Sequence, residues 1–126
     1  MSDAMKATAE KLAAYCRENK TAQGLDELYD ADADAVSVEA MPLPGSGGAE
    51  IVGVEGIKGK HDWWASSFDV HSQVVEGPFA HGADRFALIF AIDATNRQNG
   101  ERNPMKEVGI YTVNEGGKVI REEFFY

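Results

Sequence analysis

Four side chains are placed to move protons: Glu39, His71, Glu107 and Glu122. Glu39 lies in the alternating stretch 35–40 (AVSVEA), Glu107 opens an otherwise apolar run (EVGIYTV), and Glu122 lies in the terminal segment IREEFFY. A carboxylate among apolar neighbours is costly to bury as an ion, so its pKa rises toward the range of a usable acid or base. The imidazole of His71 titrates near neutrality already. Each residue also has a structural reading. Glu107 would pair with Lys60, Arg121 or His71, and Glu122 is similar but expected to be more exposed. Glu39 would bind a backbone group or a lysine, and His71 a neighbouring carboxylate. One nitrogen and two carboxylates also suit a metal, but no recognised ligand spacing such as His-Glu-x-x-His occurs. No metal and no cofactor are expected. His61 and His81 are expected to be exposed, on a helix and in a loop.

The bulk numbers narrow the partners. The chain has 126 residues, 44% hydrophobic and 26% charged, with a formal net charge of -9. That size and balance predict one soluble domain over residues 1–126 with a single core. An acidic chain without a basic run disfavours nucleic acid and anionic membrane surfaces. Cys16 is the one cysteine; it reads as a small buried hydrophobe and leaves no disulfide to form within the chain. The first residues show neither a basic region nor an apolar core of a secretory signal, and no apolar run approaches the ~20 residues of a membrane span. A reducing, cytoplasmic location is the expectation.

Helical elements must come first. Met5, Ala9, Leu12, Tyr15 and Cys16 recur at helical spacing, with Ser2 as cap. A second short helix follows Lys20, capped by Thr21 and burying Leu25, Leu28 and Tyr29. DADAD at 30–34 is a charged break, and MPLPGSGG at 41–48 is a loop. A short strand at 51–54 leads into a third helix, whose apolar face is Ile57, Trp64 and Phe68, with Trp63 on the more exposed side. After Asp69 the period becomes two. Four strands are predicted at 70–79, 85–94, 105–113 and 118–126, with turns at Gly82, Asn99-Gly100 and 114–117. Short polar links between consecutive strands imply an antiparallel meander, so the fold class is α+β.

The segments LDELYDADADAVSVE (25–39), GVEGIKGKHDWWASSF (53–68) and EVGIYTVNEGGKVIREEFFY (107–126) resemble the nuclear transport factor 2-like superfamily. The similarity is nearest to its SnoaL-like group, which includes ketosteroid isomerase relatives. The resemblance implies a cone-shaped, curved antiparallel sheet closed by three helices on the N-terminal side, with an apolar interior for ligands and an outer sheet face for a homodimer. On that scaffold the inward residues are Ala35, Ser37 and Glu39; His71, Gln73 and Val75; Phe86, Leu88, Phe90 and Ile92; Glu107, Gly109, Tyr111 and Val113; and Glu122, Phe124 and Tyr126. Val70, Ser72 and Val74 are expected on the outer face.

The resemblance places Glu39 where the isomerase pattern has its general base, with His71 as catalytic partner inside one cavity. Trp64, Gln73, Phe90, Glu107, Tyr111, Glu122, Phe124 and Tyr126 are the expected ligand contacts. An apolar or aromatic small molecule is the implied ligand, since apolar walls with a few convergent polar groups describe such a pocket. The isomerase pattern also uses a tyrosine on the first helix and a protonated acid on the penultimate strand. Here Ala13 and Gly109 fall at those positions, with Tyr15 and Glu107 each two residues away, so steroid isomerisation by that route is not expected. Arg85 and Asp93 are expected to face outward, which also removes the Asp-Arg-Asp arrangement of the epoxide-hydrolase relatives. An isomerase, cyclase or dehydratase of unassigned substrate remains, with a non-catalytic ligand-binding or interaction domain as the alternative.

Overall fold

The computed structural model describes residues 3–32, 35–42 and 48–126. The Ser2 cap and most of the proline–glycine loop lie outside them, as do Ala33 and Asp34 of the charged break. Three helices, α1 (Asp3–Arg17), α2 (Thr21–Leu28) and α3 (Val54–Ser67), pack on a sheet of β1 (Val36–Val38), β2 (Glu50–Val52), β3 (Phe68–His81), β4 (Arg85–Asn96), β5 (Arg102–Val113) and β6 (Val119–Phe125). Strand order is β2-β1-β6-β5-β4-β3. The last four strands form the expected antiparallel meander, and the sheet as a whole is mixed because β1 joins β6 in parallel. Thr21 is the first residue of α2, not its cap. Lys20 holds the cap position and makes no capping side-chain bond. The third helix ends at Ser67, so Phe68 opens β3.

Period two positions the core. Phe86, Leu88, Phe90 and Ile92 alternate on β4, and all are buried against Met5, Leu12, Leu25 and Leu28 of the first two helices. Burial of side chains of this size contributes roughly 1.5–3 kcal/mol each. Gly82, Gly100 and Gly117 take positive φ at the three hairpin turns, where a Cβ would be strained.

Strand β3 departs from strict alternation near its start. On β3, Val70 opposes Ala94 but Ser72 already opposes Asp93, so His71 is the extra residue of a β-bulge. A bulge reverses the facing of everything before it relative to simple alternation. Val70 therefore packs against the core, contrary to expectation, while Gln73 and Val75 face in as expected.

Candidate functional site

Between the helices and the concave sheet face lies a cavity of about 530 Å³. Its walls are mostly aromatic and aliphatic. Trp64 stacks on Phe68 with ring centroids 4.2 Å apart, and Tyr111 stacks on Phe86 at 5.1 Å. The Tyr111 ring lies back along its own strand: a Cβ built on Gly109 would fall 3.1 Å from the Tyr111 hydroxyl and 3.2 Å from Phe124. Glycine at 109 is what lets this ring lie flat beside the cavity.

Glu39, Trp64, Gln73, Phe90, Glu107, Tyr111, Phe124 and Tyr126 all line the cavity. His71 does not. It is exposed on the outer face and bonds the Thr95 hydroxyl at 2.6 Å. The β3 bulge is the reason, and it rules out the expected Glu39–His71 pair. Glu122 also differs from expectation: it is 1% exposed, its Oε2 accepting from the Tyr29 hydroxyl at 2.6 Å. Parallel pairing of β1 sets Ser37 beside Glu122 and covers it. Asp93 is held outside by Arg102, with Nη2 to Oδ2 at 2.7 Å. Tyr15 also points away, donating to Glu27 on α2.

The residue that joins these groups is Lys60. Its Nζ lies 3.0 Å from Glu39 Oε1, 3.5 Å from Glu122 Oε1 and 2.6 Å from Ser37 Oγ. It also sits over the Phe124 ring, 4.4 Å from the centroid. The Lys60 side chain is 7% exposed, so the ammonium depends on these partners in place of water. Glu122 Oε1 accepts no hydrogen bond, and the nearby Lys60 charge is what compensates it.

Among the described residues Glu107 has no such partner. No hydrogen bond to its carboxyl contributes to its titration, and burial first, then the Glu39 charge, push its pKa up to about 7, with Lys60 opposing. It can therefore hold or release a proton at neutral pH. His61, which lines the cavity beside Lys60, is pushed down chiefly by burial, so its imidazole is neutral at pH 7. Burial likewise lifts the Cys16 thiol to about 12, which keeps it from acting as a thiolate. Among the described residues no His, Cys, Asp and Glu cluster is arranged to hold a metal.

Lys60 and His61 were not expected in the site, yet the signal was present. They lie between Ile57 and Trp64 at i+3, i+4 and i+7, which is one helix face. A lysine on an apolar stripe reads as a solvated residue until the strands opposite it are known to carry carboxylates.

The SnoaL-like domain profile matches residues 4–126. The chain belongs to the SnoaL-like family. A solved structure from Mesorhizobium loti, proposed as a SnoaL-like polyketide cyclase with carbohydrate phosphatase as a second description, is 35% identical to this SnoaL-like chain over 100% of both chains, with a TM-score of 0.87. A Mycobacterium tuberculosis protein in complex with estradiol-17β-hemisuccinate is 17% identical over 99% of this chain and 95% of that one, with a TM-score of 0.71. A Δ5-3-ketosteroid isomerase from Mycobacterium sp. is 17% identical over 99% and 94%, with a TM-score of 0.68. The latter two share the fold. No curated protein matches the sequence.

Proposed function

We propose that this single SnoaL-like domain is a cytoplasmic enzyme that binds a flat, largely apolar small molecule and moves a proton on it, as an isomerase, cyclase or dehydratase would. The observation that supports this reading is Glu107, an acid without a hydrogen-bond partner among the described residues, facing an aromatic cavity and poised near pH 7. Glu107 takes the role of general acid or base. Lys60 supplies positive charge for an oxyanion that develops on the ligand. Glu39 keeps Lys60 in place and contacts the ligand, a role separate from the general base first assigned to it. Trp64, Phe90 and Phe124 hold the flat body. Ligands of the relatives support the ligand class: one solved neighbour carries an estradiol derivative, and another is a computationally designed binder of 17-OHP.

The test is deuterium uptake from D2O into a panel of enolisable cyclic ketones and 1,3-dicarbonyl compounds, followed by mass spectrometry. Catalysed exchange should rise through about pH 7 and fall at least 100-fold in Glu107→Gln, within the span of a general-base contribution. Ligands that bind without any catalysed exchange would leave the non-catalytic binding domain as the reading.

The outer sheet face supports a homodimer. Val74 and Phe79 are 58% and 51% exposed there, beside Ile89, Val108 and Ile110. An apolar face of this kind is unfavourable in a monomer and suits a second copy. Sedimentation should give a dimer that Val74→Asp dissociates; a monomeric wild type at micromolar concentration would refute it.

A further inference from the structure

The charges inside the cavity do not balance. One ammonium, Lys60, lies among Glu39 and Glu122 at ion-pair distance, and both Glu39 and Glu122 act electrostatically on Glu107 as well. Among the described residues the other ionisable groups lining the cavity are Cys16, His61, Tyr111, Tyr126 and, exposed at the cavity edge, Lys106. His61 is neutral, and the Cys16 thiol and both tyrosines, all shifted upward, retain their protons. So, among the described residues, two carboxylates already lie at ion-pair distance from the one interior ammonium, and the third, Glu107, faces the cavity without such a contact.

We infer that the natural ligand is a cation, an aromatic or polycyclic amine whose protonated nitrogen is received on the Glu39–Glu107 side of the cavity while its flat body lies between the aromatic walls. Three features favour an organic cation. Among the described residues the carboxylates are not clustered as metal ligands, which favours an organic cation over a bare divalent ion. The walls around them are ring faces, which attract ammonium groups, and Lys60 over Phe124 shows such a contact within the protein itself. An anionic ligand would face net repulsion in a low-dielectric space, where it is poorly screened. A cation beside Glu107 also keeps that carboxylate ionised, the form a general base needs. The inference rests on the cavity being a ligand site, but not on any reaction there.

The probe set is tryptamine, tryptophol and indole-3-acetate, which share one aromatic body and differ in charge. Binding is measured by calorimetry at pH 8, with wild type and Glu107→Gln. Tryptamine should bind at least tenfold more tightly than tryptophol, with indole-3-acetate weakest, and the amine preference should shrink to within about threefold in Glu107→Gln. Raising the pH from 6 to 8 should strengthen tryptamine binding and leave tryptophol unchanged, because Glu107 ionises across that interval. Equal binding of alcohol and amine, or tighter binding of the acetate, overturns the charge inference and leaves the cavity reading intact. Binding of none of the three overturns both.

Discussion

Replacing Glu107 by glutamine should make the protein more stable at pH 8 and leave it nearly unchanged at pH 5. The folded-state pKa, about 7, lies above the ordinary value of 4.5 because the carboxyl is buried and faces the Glu39 charge. The folded protein therefore holds a proton that the unfolded chain has already released. By linkage, wild-type stability falls as pH rises from about 4.5 to 7, and the full loss is present above that range. The displacement of 7 from 4.5 corresponds to about 3 kcal/mol at most, at about 1.4 kcal/mol per pH unit. Solvent entering the cavity screens part of it, so about 2 kcal/mol is expected. In a domain of this size that is roughly 8 °C in Tm. Glutamine keeps the shape and cannot ionise, so the variant loses the penalty and the proton together. Thermal melts and urea unfolding from pH 4.5 to 8.5 should show the two proteins converging at the acid end, separating progressively from about pH 4.5 and keeping a constant difference above about pH 7. Parallel curves at every pH, or a variant weaker than wild type at pH 8, would mean that the folded protein pairs or solvates this carboxylate.

Two further outcomes test the placement of the charges. Lys60→Met should destabilise by about 3 kcal/mol, because it strands Glu39 and Glu122 without a cation; a change below 1 kcal/mol in urea unfolding would show that water reaches them. His71→Ala should shift stability by no more than about 0.5 kcal/mol and leave ligand affinity unaltered, as expected of an exposed side chain; a tenfold affinity loss would return His71 to the site.

The contrast between strands β4 to β6 and strand β3 shows which information is local. Phe86, Leu88, Phe90 and Ile92 point inward because alternation on a half-buried strand is a property of the strand itself. Tyr111 and Phe124 follow the same rule and line the cavity. His71 breaks it through a bulge that no glycine in DVHSQVV announces, since the extra residue is set by register against β4. Glu122 has the same kind of cause. Its side chain faces inward by parity, but its burial comes from β1, a parallel neighbour more than eighty residues earlier in sequence. Parity thus selects the face of a residue, whereas its solvation depends on which distant segment covers that face.

The same division applies to Lys60. Its helix stripe is local information, but the reason to tolerate an ammonium on it is supplied by Glu39 and Glu122 from two other elements. A buried ion pair of this sort is weak support for stability, because hydrophobic residues of equal volume often do as well. Local sequence rules are expected to fail where function needs them to. The chain sets Glu39, Glu107 and the buried Lys60 along a cavity that Phe and Leu could have filled, with Glu122 behind Lys60, and among the described residues it leaves Glu107 as the acid without a partner. On stability alone the arrangement is unfavourable at neutral pH. Proton transfer to a bound ligand would account for it, and the stabilised but inactive Glu107→Gln variant is the outcome that would demonstrate that exchange of stability for activity.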